Sequence, residues 1–346
     1  MNHSLKYLQF ALLLVVIITT TNTIKAQSNN QSNLQAGKNN VEFKSEGLKI
    51  KGHLFLPPDY TPEGYFPAIV VVAPASGIKE QTAGIYAERL AKEQYITLAF
   101  DHRTFGESDG EPRAMESAPM KVEDIKNAIS FLATIPGVDK KKMAELGICS
   151  GAGYAIQTAC FDPRIKSVAT VSGFIDFLDY GLSGYTQYMH LVSGDKIKQF
   201  QKQMQIAVKA RQKYYETGES DMIPGIPPKG SGLGDFWERA ADYYYNPERG
   251  GAFPSYTPMR AAMSLDTRYS FNASEHIELM RGTPFLAIAG SKAYTISYSE
   301  LAVERAQGDK ELYKIKGAHH FDLYDGEDYV RQAIEKLNEF YKRTLQ

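Results

Sequence analysis

Cysteine is scarce in this chain, with two in 346 residues, Cys149 and Cys160. If the stretch between them is helical, they stand at opposite ends of one helix, about 16 Å apart. A disulfide needs Cα atoms within about 7 Å, so an internal bridge is excluded and Cys149 stays a free thiol. Charge of one sign is lacking too. Lys and Arg number 39, Asp and Glu 40, and the formal net charge is −1, which gives no general attraction for polyanions and excludes nucleic acid as an expected partner. The apolar run at residues 8–18 falls short of the roughly 20 residues that a spanning helix needs. His102, His319 and His320 are joined by no evident further ligands, so no metal is expected. No glycine-rich loop is followed by the Lys of a phosphate site, and no cofactor is implied.

What is present begins with an address. Lys6, the apolar run and a polar stretch ending at Ile24, Lys25 and Ala26 have the charged, apolar and cleavage regions of a secretory signal. Residues 1–26 therefore read as a signal peptide, with export to the periplasm or medium, a mature start near Gln27 and no stable membrane insertion after processing. An uncleaved anchor is the alternative. Residues 27–40, rich in Asn, Gln and Ser, read as a flexible linker. Residues 41–346 form the folded part, and 43% hydrophobic with 23% charged residues supply a sizeable core.

In that part, residues 41–45 and 48–56 alternate around Glu46 and Gly47 and read as an antiparallel hairpin. Residues 67–73, 96–100, 146–149 and 167–171 are short buried runs, and residues 79–93, 122–132 and 154–161 have helical spacing. Alternation of this kind predicts an α/β fold with a mostly parallel sheet. It stops over residues 174–281, where aromatic-rich helical stretches at 196–215 and 233–245 predict a helical cap, or else a second independent domain. It resumes with strands at 285–289 and 312–315 and helices at 299–306 and 328–343.

The run 146–149 ends abruptly in small residues before a helix. A nucleophile elbow has this form, because its sharp turn leaves no room for side chains two before and two after the nucleophile. With Cys149 at the tip the flanks are Gly147 and Gly151; with Ser150 there, Ile148 would be forced into the crowded position. Cys149 is thus the candidate nucleophile. It lies at a helix N-terminus, a place that lowers a thiol pKa, with the Ser150 N–H next to it as an oxyanion donor. His320 and His319 lie in the loop between the last strand and the last helix, where the chain order of a catalytic triad puts its base.

On these residues the chain resembles an α/β-hydrolase of the dienelactone-hydrolase-like group, close to the bacterial relatives of fungal polyketide transferases. The markers are Pro74 to Gln81, Phe100 to Gly106, Gly147 to Tyr154 and Gly317 to Asp325. The resemblance implies an α/β-hydrolase fold, Cys149 as nucleophile, His320 rather than His319 as base, and an oxyanion donor at Ala75 or Ser76. Related hydrolases carry an Asp in a Gly-x-x-Asp pattern after the penultimate strand, but here Gly290 is followed by Ser291, Lys292 and Ala293. The acid is then sought at Asp176, with Glu300 as the other candidate.

The expected activity is cleavage of an ester, lactone or thioester through an acyl-enzyme. The alternatives are acyl transfer by the same nucleophile, or a catalytically impaired binding protein. The cap aromatics Tyr180, Tyr185, Tyr188, Phe236, Trp237, Tyr243, Tyr244 and Tyr245 divide between the cap's own core and the cleft. Such a lining predicts a small-molecule substrate with an apolar acyl group.

Overall fold

A computed structural model describes residues 34–178 and 194–346 of the chain. The signal reading of residues 1–26 lies outside the described residues, as do Tyr180, Tyr185 and Tyr188. The first strands, β1 (Gly37–Ser45) and β2 (Leu48–Leu56), form an antiparallel hairpin. Glu46 and Gly47 turn it with positive φ of 48° and 86°, a backbone twist that matches that of the flanking strands. Gly37 to Asn40 pair with Leu56 to His53, so the expected linker is strand over its last four positions. Asn-rich composition signals a loop, but backbone pairing to β2 needs no apolar side chain.

The chain then alternates through β3 (Phe66–Val72), α1 (Thr82–Lys92), β4 (Ile96–Phe100), α2 (Ala118–Leu132), β5 (Val138–Ile148), α3 (Ser150–Phe161) and β6 (Ile165–Val171). Helix α1 starts three residues later than its spacing predicts. Lys79 is instead drawn into a buried ion cluster, with Nζ 2.8 Å from Asp101 and 2.7 Å from Glu107. Within residues 174–281 come α4 (Gly194–Thr217), β7 (Met222–Pro224), α5 (Asp235–Tyr245), β8 (Met259–Ala261), α6 (Ser264–Tyr269) and a 3-10 turn (Ala273–Met280). The chain closes with β9 (Phe285–Gly290), α7 (Ile296–Arg305), β10 (Lys310–Ile315), α8 (Asp322–Asp325) and α9 (Glu327–Thr344).

Eight strands form one sheet in the order β1-β2-β4-β3-β5-β6-β9-β10. Strand β2 runs antiparallel to β4, and every pairing from β4 to β10 is parallel. Parallel strands covered on both faces must be apolar throughout, and Ile96 to Phe100 and Phe285 to Gly290 are buried at every position. One face packs on Ile125, Ile129, Tyr154 and Ile156 of α2 and α3. The other packs on Tyr86, Leu90, Leu337 and Phe340 of α1 and α9. Helix α5 joins this second core through Ala240, Tyr243 and Tyr244. The cap is further tied down where Thr82 N–H donates to Tyr243 Oη at 3.2 Å and Gln81 Nε2 to the Gly251 carbonyl at 2.6 Å.

Candidate active site

Between β5 and α3 the backbone turns on a single residue. Cys149 has φ 53° and ψ −120°, a strained conformation for a residue with a side chain. Ser150 is already helical, so the tip of the turn is Cys149 and not Ser150. The flanking glycines are needed sterically. A Cβ on Gly147 would lie 2.4 Å from the Gly151 carbonyl oxygen, and one on Gly151 would lie 2.3 Å from that of Val72. Amides fix the turn from both sides, with Cys149 N–H donating to Val171 O at 3.0 Å and Phe174 N–H to Cys149 O at 2.9 Å.

Ala75 and Ser150 are brought together beside the thiol. Ala75 N–H donates to Ser150 Oγ at 3.2 Å, and that hydroxyl is 3.7 Å from Cys149 Sγ. The neighbouring Ser76 N–H is already used, donating to Glu116 at 2.9 Å. Glu116 also accepts from Tyr154 Oη at 2.8 Å and pairs with Lys121 at 2.7 Å. Burial alone would raise its pKa, but the Lys121 ammonium overcomes this and holds Glu116 down to about 2. A buried carboxylate thus anchors the loop that carries Ala75.

His320 sits in the turn after β10, buried, with both ring nitrogens occupied. Nδ1 is 2.6 Å from Thr295 Oγ1, and Nε2 is 3.2 Å from Tyr324 Oη. Burial pushes the imidazole pKa down to about 3. Among the described residues no hydrogen bond links His320 to Cys149; Tyr324, which is 3.2 Å from His320 Nε2, lines the cleft together with Cys149. Burial pushes the Cys149 thiol up, and hydrogen bonding from Tyr324 and Ser150 offsets part of that rise. The lowered thiol expected at the helix N-terminus is not the net direction, because loss of water on burial is the largest influence on Cys149. The resting pair is a neutral thiol and a neutral imidazole.

For the acid the sequence offers Asp176, with Glu300 as the other candidate. Asp176 is buried and forms an isolated backbone bridge with Asn272, while the ring of His320 is held by two hydroxyls. Glu300 is on the surface, 2.7 Å from Lys314. The group on Nδ1 is Thr295, two residues beyond Ala293. His319, whose backbone N–H donates to Asp322 at 2.8 Å, is not among the contacts of His320.

The thiol opens on a cleft lined by Ala75, Cys149, Ser150, Phe174, Ile226, Phe236, Trp237, Tyr244, Phe321 and Tyr324. Of the cap aromatics, Phe236, Trp237 and Tyr244 thus face the cleft, Tyr243 is core, and Tyr245 is partly exposed. The lining is not wholly apolar, because Arg260 and Arg268 complete it. His320 borders a neighbouring opening with Lys292, Phe236 and Phe321. Sequence reasoning missed Thr295, Tyr324, Arg260 and Arg268. Tyr324 lay inside the terminal marker segment; the other three carried no periodic or motif signal. Among the described residues no three His, Cys, Asp or Glu are grouped to hold a metal ion, and no helix is long and apolar enough to cross a membrane.

Known proteins are similar to this chain in sequence and fold. Residues 51–215 match the sequence profile of the dienelactone hydrolase family. The uncharacterised protein YcjY of Escherichia coli is 32% identical over 312 residues, 89% of this chain and 99% of its own. PA2218 of Pseudomonas aeruginosa is 31% identical over 302 residues, 86% of this chain and 78% of its own. Its crystal structure superposes with a TM-score of 0.80 at 28% identity, covering 91% of this chain and 97% of that one. The polyketide transferase grgF of a Penicillium species is 24% identical over 315 residues, 89% of this chain and 97% of its own. The crystal structure of that α/β-hydrolase gives a TM-score of 0.73 at 22% identity, over 89% and 99% of the two chains. The profile match, together with relatedness above 30% identity along most of both chains, makes this chain a member of the dienelactone hydrolase family of α/β-hydrolases.

Proposed function

We propose that the protein cleaves an ester, lactone or thioester through a covalent acyl-enzyme on Cys149. The observation that carries this reading is the strained backbone of Cys149, which holds a thiol in the lining of an aromatic-walled cleft near the Ala75 N–H. Strain of this order is kept where the surrounding structure requires it.

In the reaction the substrate carbonyl takes the place of the Ser150 hydroxyl before Ala75. As Cys149 Sγ bonds to the carbonyl carbon, its proton passes to Tyr324 Oη and the phenol proton passes to His320 Nε2. Thr295 Oγ1 accepts from Nδ1–H and keeps Nε2 free to take that proton. The oxyanion is held by the N–H groups of Ala75 and Ser150. Collapse expels the alkoxide or thiolate, which recovers a proton from His320 by the same route. Water then attacks the acyl carbon, passes a proton to His320, and the acid leaves as the thiol is restored. Export, read from residues 1–26, belongs to the same proposal.

Acyl transfer is the second reading. It is favoured by the aromatic walls, which exclude water, and by the similarity to a polyketide transferase over nearly its full length. Stopped-flow release of a chromogenic leaving group tests both. A burst near one equivalent of enzyme, absent in Cys149→Ala, supports the acyl-enzyme. A steady-state rate accelerated by added alcohols supports transfer, and activity unchanged in Cys149→Ala removes both readings.

A further inference from the structure

One residue joins the cap to the loop that carries Ala75. Glu116 stands just before α2 and is buried. Its side chain reaches one way, accepting from Ser76 N–H at 2.9 Å and from Tyr154 Oη at 2.8 Å, with Lys121 Nζ at 2.7 Å. Its backbone is held the other way by α6 of the cap. Glu116 N–H donates to Ser264 Oγ at 2.8 Å, and Thr267 Oγ1 donates to the Glu116 carbonyl at 2.8 Å. The loop at the far end is strained. Gly77 N–H closes on the Pro74 carbonyl at 2.9 Å, which makes Ala75 and Ser76 the two middle residues of one tight turn. Ser76 has φ 56°, a left-handed conformation that a residue with a side chain keeps only when its surroundings impose it. The Ala75 N–H is one peptide away from the amide that Glu116 holds.

We propose that Glu116 is a positioning residue of the reaction, which aims the Ala75 N–H at the oxyanion and makes that aim depend on the seating of cap helix α6. A buried ion pair is not needed for stability, since apolar residues of similar volume serve as well. What this one supplies is direction. Lys121 on α2, Tyr154 on α3 and the Ser76 amide fix the carboxylate from three elements, and the carboxylate in turn fixes the strained turn. Because Tyr154 lies on the helix that begins at Ser150, both oxyanion donors are held relative to the same group. A donor stabilises the transition state only when it is aimed where the charge develops. Helix α6 also borders the cleft, at Arg268, so an acyl group filling the cleft bears on the helix that holds Glu116. This deepens the acyl-enzyme reading and rests on it.

The carbonyl stretch of the acyl-enzyme reads the donor directly, because hydrogen bonds to the carbonyl oxygen lower its frequency. The probe is a slowly deacylated aryl cinnamate, isotope-labelled at the carbonyl and followed by infrared difference spectroscopy. Glu116→Ala with Lys121→Met removes the acceptor and its ammonium together, so no buried charge is left alone. It is expected to move the band to higher frequency and to lower kcat and kcat/KM together by about 10- to 100-fold. Glu116→Gln with Lys121→Met keeps an acceptor for the Ser76 N–H, and should return the band and bring kcat to within about threefold of wild type. Thr267→Val leaves both charges in place and cuts only the cap bond. It should move the band the same way and lower kcat severalfold. An acyl-enzyme whose band is the same in wild type and in these variants overturns the proposal, even where kcat falls. So does a band moved by Glu116→Ala with Lys121→Met but not by Thr267→Val, which would separate the cap from the donor. If the double variants do not fold, Thr267→Val alone decides. Absence of any acyl-enzyme in the wild type removes the hydrolase reading and this inference with it, whereas an acyl-enzyme with an unmoved band removes the inference alone.

Discussion

The Tyr324 hydroxyl lies 3.2 Å from Nε2 of His320, the nitrogen that a nucleophile in this fold addresses. Tyr324 also lines the cleft with Cys149 and offsets part of the rise that burial gives the thiol, and the relay from sulfur to imidazole through this phenol is part of the proposed mechanism. Burial keeps that phenol protonated, which lets it accept from one side while donating to the other.

Tyr324→Phe is therefore expected to lower kcat on an activated ester by about 10- to 100-fold, the loss of roughly 1.4–2.8 kcal/mol of transition-state stabilisation. The aromatic ring remains to fill its place against Tyr243 and Phe321, so thermal stability should change little. Unchanged kcat would mean that the histidine reaches the thiol directly.

Thr295 supplies a hydroxyl where a carboxylate is usual. Thr295→Asp should raise the pKa of His320 and move the acid limb of the kcat/KM profile to higher pH, because a negative charge now faces Nδ1. Thr295→Val should cut kcat by about tenfold or more by freeing the ring to turn. A pH profile identical in wild type and Thr295→Asp would separate Thr295 from the working histidine.

Burial of His320 has a consequence for stability. Its pKa is about 3 in the fold against 6.5 for the free side chain, so the unfolded chain takes up this proton first as pH falls. The contribution is fully present above about pH 6.5 and is lost as pH falls toward 3, by about 2 kcal/mol at pH 5. Urea midpoints should drop between pH 7 and pH 5, and His320→Gln should flatten that drop. An equal drop in the variant would assign the acid sensitivity to other groups.

Glu145 works in the opposite sense. It is buried in β5 with neither carboxyl oxygen hydrogen-bonded, and burial followed by Asp162 raises its pKa well above the usual carboxylate range. With a raised pKa its contribution is present below about pH 4.5 and lost as pH rises toward the folded value. Glu145→Gln is expected to raise the melting temperature at pH 8 and to leave it nearly unchanged at pH 4. A lowered value at pH 8 would show that the carboxylate has a stabilising role.

Where one stretch of chain determines its own structure, the sequence was legible. Ile96 to Phe100 coincides with β4 because a continuous apolar run can sit only between two covered faces. The elbow was legible at Cys149 because its glycines are local requirements of the turn. The first half of β5 was not, since Lys140, Lys141 and Lys142 conceal a strand that pairs with β3 at Val138 and then continuously only from Met143. The partners of His320 were least legible. Thr295 is 25 residues away in the chain, and only the parallel pairing of β9 with β10 brings its loop beside the histidine. Arg260 and Arg268 read as ordinary surface charges until the cap is folded over the cleft.

Intact-mass measurement after rapid acid quench tests the central claim most directly. Wild-type protein mixed with a slowly deacylated aryl ester should gain the mass of one acyl group, mapped by peptide digestion to Cys149. The adduct should be absent in Cys149→Ala and should accumulate more slowly in Tyr324→Phe and His320→Gln. Turnover with no adduct at any time, or an adduct mapped to Ser150, would contradict the account.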